Sequence, residues 1–326
     1  MLYALCSVPC TFAQMIQRNL RIVFMGTPDF AVASLQYLLE AGYPIVGVIT
    51  AHDKSGGRGM KEMITSAVKK YALEHNLPLL QPVNLKSKSF LNELKSLNAD
   101  LQVVVAFRML PEAVWNMPRL GTMNLHGSLL PAYRGAAPIQ WAIIRGEKST
   151  GVTTFLLQHQ IDTGKILLQR EIPILDDDDT GTLHNRMMYA GAGLVVATVD
   201  QLCSGKITSE NQDESKASHA PKIFHHDGQI NWNKSIHEIY NLIRGMAPYP
   251  GAWTTLDGIE CKILKSKIHA FRSDSTPGQM SLYGKHVFVQ TIDGVLEILE
   301  VQMAGKRKMN VTDLLNGYKI KDWSLT

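Results

Sequence analysis

The run Arg21-Ile-Val-Phe-Met25 is apolar after its first residue, breaks at Gly26-Thr-Pro-Asp29, and resumes with helical spacing through Phe30, Leu35, Leu38 and Leu39. A strand with no wet face belongs inside a sheet covered on both sides. Thr27 is placed to cap the following helix, with Pro28 at its first position, where a missing amide costs little. A second run, Tyr43 to Thr50, reads as the next strand. Strand, tight turn, helix and strand are the start of a parallel, helix-covered sheet. The turn reads Gly-Thr-Pro-Asp-Phe-Ala and lacks the second glycine of a dinucleotide fingerprint. Its amides either face an anion or simply turn the chain, and both readings stay open.

The alternation continues. Glu62 to His75 carries a helical pattern, Leu77 to Leu80 reads as a short strand, and Phe90 to Leu97 as a helix. Leu101-Gln-Val-Val-Val-Ala-Phe107 reads as a central buried strand, and another ends near Asn124 and His126. A helix is expected over Ala137 to Arg145, a strand over Gly151 to Leu157 with a hairpin partner in Ile166 to Leu168, and a long helix over Leu183 to Leu202. The acidic run Asp176 to Asp179 is expected to be a solvated approach to that helix, because consecutive like charges without convergent ligands make a poor metal site. Trp232 to Arg244 reads as one helix. Short strands then follow at Cys261 to Phe271, His286 to Ile292 and Val295 to Met303, with Asp293-Gly294 as a hairpin turn, the pattern of a small β-rich domain or barrel.

A chain of 326 residues accommodates two ordinary domains. Residues 1–20 are expected to form a disordered leader, with Met15 as an alternative start, because neither a basic region nor a cleavage site accompanies the apolar patch. The α/β domain is expected over 21–208, a polar linker over 209–222, and the β-rich domain over 223–326. No segment offers the roughly 20 uninterrupted apolar residues that cross a bilayer, so no membrane role is expected. Cys6, Cys10, Cys203 and Cys261 have neither paired zinc spacing nor disulfide density, which points to a reducing, cytoplasmic compartment. A net charge of +4 permits nucleic-acid binding without demanding it. With no coiled-coil repeat or long exposed apolar stripe, a monomer is expected.

Ligands of such sheets bind beyond the carboxyl ends of the strands, where Asn124 and His126 fall. Residues two apart on a strand face the same side, so an amide donor and an imidazole share one face and suit the oxyanion of acyl transfer. Asp162, in the sharp Ile161-Asp-Thr-Gly164 turn, orients His126, accepts a proton directly or through water, or merely caps its own turn. Ser128 lacks the strand, elbow and helix of a nucleophilic serine, so direct attack by a substrate amine on a donor carbonyl is the simpler chemistry. The loop His52 to Lys61 brings glycines together with Lys54, Arg58 and Lys61, groups that can hold phosphates or face water.

As a set, Asn124-Leu-His126, Ser128-Leu-Leu-Pro131, Tyr133-Arg-Gly135 and Asp162-Thr-Gly164 resemble the formyltransferases that use 10-formyltetrahydrofolate. From Arg21 through the C-terminal domain, including Gly57-Arg-Gly59, Ile230-Asn-Trp232, Pro248-Tyr-Pro-Gly-Ala-Trp253 and Gly305-Lys306, the chain resembles the methionyl-tRNA formyltransferase family. The resemblance implies an α/β fold, with a Rossmann-like formyltransferase domain and a smaller β-barrel resembling an OB fold. It implies 10-formyltetrahydrofolate as the donor, initiator methionyl-tRNA as the acceptor, and no metal. It also implies Asn124, His126 and Asp162 as the catalytic set. Ser128, Leu129, Leu130 and Pro131 would line the folate site, with Phe107, Met109 and Leu110 beside the pterin. Phe107-Arg108 departs from the more familiar Tyr-Gly. Lys54, Arg58, Lys61, Lys222, Lys306, Arg307 and Lys308 are the implied tRNA contacts, Arg58 foremost. Two alternatives are a folate-dependent formyltransferase acting on an amino sugar or another small amine, and a noncatalytic RNA-binding module.

Overall fold

In a computed structural model of the chain, residues 19–56, 62–269, 275–317 and 325 are described. Nearly all of the expected leader lies outside them, as do Arg58 and Lys61. Close packing groups the chain into two units, one of Met1–Pro131, Gly151–Arg170 and Met187–Ala217, the other of Ala132–Thr150, Glu171–Arg186 and Ser218–Thr326.

The expected α/β architecture is present. In order come β1 (Ile22–Gly26), α1 (Asp29–Glu40), β2 (Ile45–Ile49), β3 (Lys54–Gly56), β4 (Glu62–Ile64), α2 (Ala67–Glu74), β5 (Leu79–Leu80), α3 (Lys88–Ser96), β6 (Leu101–Val105), α4 (Glu112–Trp115) and β7 (Thr122–His126). They are followed by β8 (Arg134–Gly135), α5 (Pro138–Ile144), β9 (Ser149–Leu156), β10 (Ile166–Pro173) and α6 (Thr180–Cys203). One seven-stranded sheet runs β10-β9-β7-β6-β1-β2-β5. β1 pairs in parallel with β2 and β6, and β6 with β7, whereas β7 meets β9 antiparallel. Every residue of β1 and β6 is buried, as the unbroken apolar run of β1 requires; in β6 the buried set includes the polar Gln102. On one face Val23, Met25, Ile49, Leu94, Val104 and Val114 share a core, each side chain contributing about 1.5–3 kcal/mol on full burial.

Several local expectations change. Pro28, in extended conformation, is itself the residue before α1 and Thr27 is not the cap; the Pro28 carbonyl accepts the first turn's Ala31 amide at 3.0 Å. Glu62 to Ile64 is not helical, because its backbone pairs with Lys54–Gly56 in a hairpin. The helix waits for Ser66, whose hydroxyl accepts from the Lys69 amide. The acidic run is not uniformly solvated. Asp176 is open to water, but the Asp178 side chain is 4% exposed and accepts from Arg186, at 2.5 Å, and from the Leu175 amide, at 2.7 Å. Burial raises the Asp178 carboxyl, yet these donors and Thr182 outweigh it and hold it below the ordinary carboxylate range.

The second unit contains β11 (His219–Ala220), α7 (Ile236–Met246), β12 (Ala252–Leu256), β13 (Ile259–His269), β14 (Met280–Tyr283), β15 (His286–Gln290), β16 (Val295–Met303), β17 (Met309–Asn310) and α8 (Val311–Gly317). Its antiparallel sheet runs β12-β13-β16-β15-β14, with β17 paired to β16. The register shifts on either side of Lys265, a bulge that increases local twist. The 291–294 turn closes the β15/β16 hairpin, Thr291 N–H donating to the Gly294 carbonyl at 2.9 Å. α7 starts four residues later than its pattern suggests, at a capping box made by Ser235 and Glu238. Trp232 therefore lies in the core with Ile239, Ile243, Leu296 and Ile298, its indole donating to Thr254 Oγ1 at 3.1 Å.

Candidate active site

β7 places its chemistry by alternation. Met123 and Leu125 point to the face covered by α6, where a Cβ on Gly191 would lie 2.7 Å from Leu125 Cδ2. Asn124 and His126 therefore share the opposite face, with Asn124 half-buried and His126 buried at 6% exposure. On β9, Phe155 is paired with Asn124 and Thr153 with His126. The Phe155 ring meets the imidazole edge-on, 6.5 Å between centroids and 86° between planes, which restricts the ring's orientation.

Asp162 reaches this histidine from the β9/β10 turn. His126 Nδ1 stands 3.9 Å from Asp162 Oδ2, with side-chain exposures of 7% and 13%. That is an ion-pair separation, longer than a direct hydrogen bond. The turn is held by its backbone. Asp162 has φ of 54°, a left-handed conformation that aspartate tolerates better than most residues. At Gly164 a Cβ would fall 1.6 Å from the Leu156 carbonyl oxygen, so only glycine permits this approach. Gln212 Nε2 donates to the carbonyls of both Asp162 and Gly164 at 2.8 Å.

The segment after His126 is fixed by one hydroxyl. Thr153 Oγ1 donates to the Ser128 carbonyl at 2.6 Å and accepts from the Leu130 amide at 3.1 Å and from Gln169 Nε2 at 2.9 Å. Gln169 Nε2 also donates to the Leu130 carbonyl at 2.8 Å. A hydroxyl offers one donor and two acceptor sites, so Thr153 is saturated. Ser128 and Leu130 are buried by this arrangement, while Leu129 and Pro131 are half-buried.

The second expected wall, 107–111, is divided. Leu110 enters the apolar core beside Val114, Phe107 is half-buried, and Met109 is 74% exposed. Arg108, the departure from the familiar pair, donates to the Pro82 and Val83 carbonyls and lies 5.8 Å from the Phe107 ring centroid. It ties this loop to the segment following β5.

The expected RNA contacts are spread out. Lys54 is exposed on β3, next to Asp53, which accepts from Lys69 and Gln81 and is held below the usual carboxylate range chiefly by Lys69. Lys222, Lys306, Arg307 and Lys308 are exposed in the second unit. Lys308 pairs with Glu300 at 2.7 Å. The Tyr133-Arg-Gly135 motif packs within that unit too. Tyr133 is buried and donates to Glu147 Oε1 at 2.5 Å; burial, then this carboxylate, pushes its hydroxyl up to about 12. Gly135 lies so close to β11 that a Cβ would meet the Ala220 carbonyl at 2.5 Å.

Thr153, Gln169 and Gln212 are supporting residues that sequence reasoning missed. The register of β7 against β9 identifies Thr153 once the pairing is known. Gln212 leaves no local signal, since it acts 50 residues from Asp162.

Residues 20–199 match the family described as Formyl transferase, and residues 222–319 match Formyl transferase, C-terminal domain. A methionyl-tRNA formyltransferase from Azobacteroides pseudotrichonymphae is 53% identical over 309 residues, spanning 91% of this chain and 95% of that protein. Another, from Parabacteroides distasonis, is 51% identical over 318 residues, spanning 94% and 98%. The crystal structure of an N-formyltransferase from Helicobacter canadensis in complex with folinic acid and dTDP-3-aminofucose has a TM-score of 0.66 at 20% identity, covering 89% of this chain and 100% of that one. At that identity the likeness establishes the fold, a Rossmann-like formyltransferase domain followed by a C-terminal domain. With both family regions matched in order and about half of all positions shared with full-length relatives, the chain belongs to the methionyl-tRNA formyltransferase family.

Proposed function

We propose that this chain transfers the formyl group of 10-formyltetrahydrofolate to the free amino group of methionine on initiator methionyl-tRNA, in support of translation initiation, and that Asn124, His126 and Asp162 carry the reaction. The carrying observation is the shared face of Asn124 and His126 at the end of β7, with Asp162 3.9 Å from the imidazole. An amide donor and an imidazole on one face suit a carbonyl oxygen that gains negative charge. The neutral methionine amine attacks the formyl carbon and forms the new C–N bond. Asn124 and His126 stabilise the resulting oxyanion, and Asp162 orients His126. The bond from the formyl carbon to the folate nitrogen then breaks. The proton lost by the amine replaces the formyl group on that nitrogen, so atoms and charge balance.

Folate is a substrate here. The Ser128–Pro131 loop supplies its proposed wall because Thr153 and Gln169 fix that loop's backbone, with Phe107, Met109 and Leu110 assigned to the pterin side. Lys54, Arg58, Lys61, Lys222, Lys306, Arg307 and Lys308 are assigned to the tRNA. We assign the reaction to the cytoplasm, because its acceptor is an aminoacylated tRNA, and to a monomer, because the sequence carries no coiled-coil repeat or long exposed apolar stripe. Among the described residues no helix is long and apolar enough to cross a membrane.

His126→Ala should lower the single-turnover rate with 10-formyltetrahydrofolate and methionyl-tRNA by about 10²–10³-fold, the usual cost of one oxyanion donor, while leaving tRNA affinity unchanged. A near-normal single-turnover rate would sink the assignment.

A further inference from the structure

Between Lys222 and His226, Ile223 lies against the core of the second unit, and His225, its side chain 60% exposed, stacks on Trp253 at 4.8 Å and 22°. His225 Nε2 stands 3.0 Å from Glu260 Oε2, and its carbonyl accepts the Trp253 indole N–H at 2.8 Å. Lys222, Phe224 and His226 make a different group. Phe224, 53% exposed, stacks parallel on His226 at 5.9 Å between centroids and 4° between planes. Lys222 Nζ lies 5.5 Å from the Phe224 centroid.

The backbone under this group is fixed at both ends. Upstream, the His219 carbonyl accepts from Arg145 at 3.0 Å and the Pro221 carbonyl from the Trp141 indole at 2.8 Å. Downstream, the Phe224 amide donates to Asp227 Oδ2 at 2.7 Å. The ordering cost of the loop is therefore met on folding, before any ligand arrives. A phenylalanine left half in water stabilises the fold little. Two parallel rings beside an ammonium group have the chemistry that an unpaired nucleobase and its phosphate require: a π-face for the base and a cation for the anion. His226 keeps one acidic neighbour, Asp227 Oδ1 at 3.4 Å from its Nε2. Lys222 supplies the cation of the group.

We propose that Phe224 and His226 form a stacking platform for an unpaired base of the RNA substrate, with Lys222 holding its phosphate. They are positioning residues, and the inference rests on the methionyl-tRNA reading above. The test is steady-state formylation by the intact protein at saturating 10-formyltetrahydrofolate over a methionyl-tRNA titration. Phe224→Ala should raise KM for the tRNA roughly 5- to 100-fold, the range for loss of one base stack, with kcat at saturation within about twofold. Phe224→Trp should restore KM, and Phe224→Leu should not. Lys222→Ala should flatten the salt dependence of tRNA binding by about one phosphate contact. An unchanged KM in Phe224→Ala, or rescue by leucine as complete as by tryptophan, overturns the platform while formylation by the unaltered protein stands. If the unaltered protein formylates an amino sugar and not methionyl-tRNA, the functional reading itself falls.

Discussion

Thr153→Val isolates the hydroxyl that fixes the loop after His126. Valine keeps the β-branched shape in β9, so the lesion is polar and not a cavity. Three hydrogen bonds vanish, at 2.6, 2.9 and 3.1 Å. Gln169 keeps its bond to the Leu130 carbonyl at 2.8 Å, but the Leu130 amide loses its partner in a buried position. An orphaned buried donor costs about 1–3 kcal/mol, and the other bonds contribute about 0.5–1.5 kcal/mol each. The extra apolar group recovers about 0.8 kcal/mol. The local penalty is about 3 kcal/mol, which corresponds to roughly a 150-fold change in a local opening equilibrium. Hydrogen exchange on a peptide covering Leu129 and Leu130 should therefore accelerate by about that factor, with KM for the folate rising alongside it. Thr153→Ser should stay close to the unaltered protein. Unchanged exchange in the valine variant, or equal damage from serine, would refute the hub and leave packing as Thr153's role.

Gln212→Met removes the donor that spans the Asp162 and Gly164 carbonyls while keeping side-chain length. Losing about 1–2 kcal/mol of turn positioning should lower kcat roughly 5- to 30-fold with both KM values nearly unchanged; an intact kcat would remove Gln212 from the site. For Asp178, the depressed carboxyl means that its contribution is complete at neutral pH and is lost as pH falls below about 4 toward the folded value. Asp178→Asn should cost about 1.5–3 kcal/mol at pH 7 through its charged hydrogen bonds and show a shallower acid decline in Tm. Parallel Tm profiles would contradict the pairing with Arg186.

Much of the architecture was legible because it is written in local periodicity. The unbroken apolar run of β1 and the largely apolar run of β6 have no stable placement except inside a covered sheet, and the strand at Val295–Met303 was readable to its ends. Short segments misled where tertiary pairing outweighed local preference. Glu62–Ile64 gave up its helical pattern for a ladder with β3, and Trp232 left the expected helix for the core.

By itself the sequence determined that Asn124 and His126 share a face, because a strand alternates with a period of two, and that Asp162 to Gly164 form a turn. It also determined family membership, through motifs whose specificity lies in their combination. Only the tertiary structure decided that the turn returns to His126, that Thr153 saturates the following loop, that Gln212 reaches the turn from 50 residues away, and that Asp178 is buried beside Arg186. The physical reason is common to all four. Hydrogen bonds and burial depend on distances between segments remote in sequence, and no local spacing encodes those distances until the sheet has set its register.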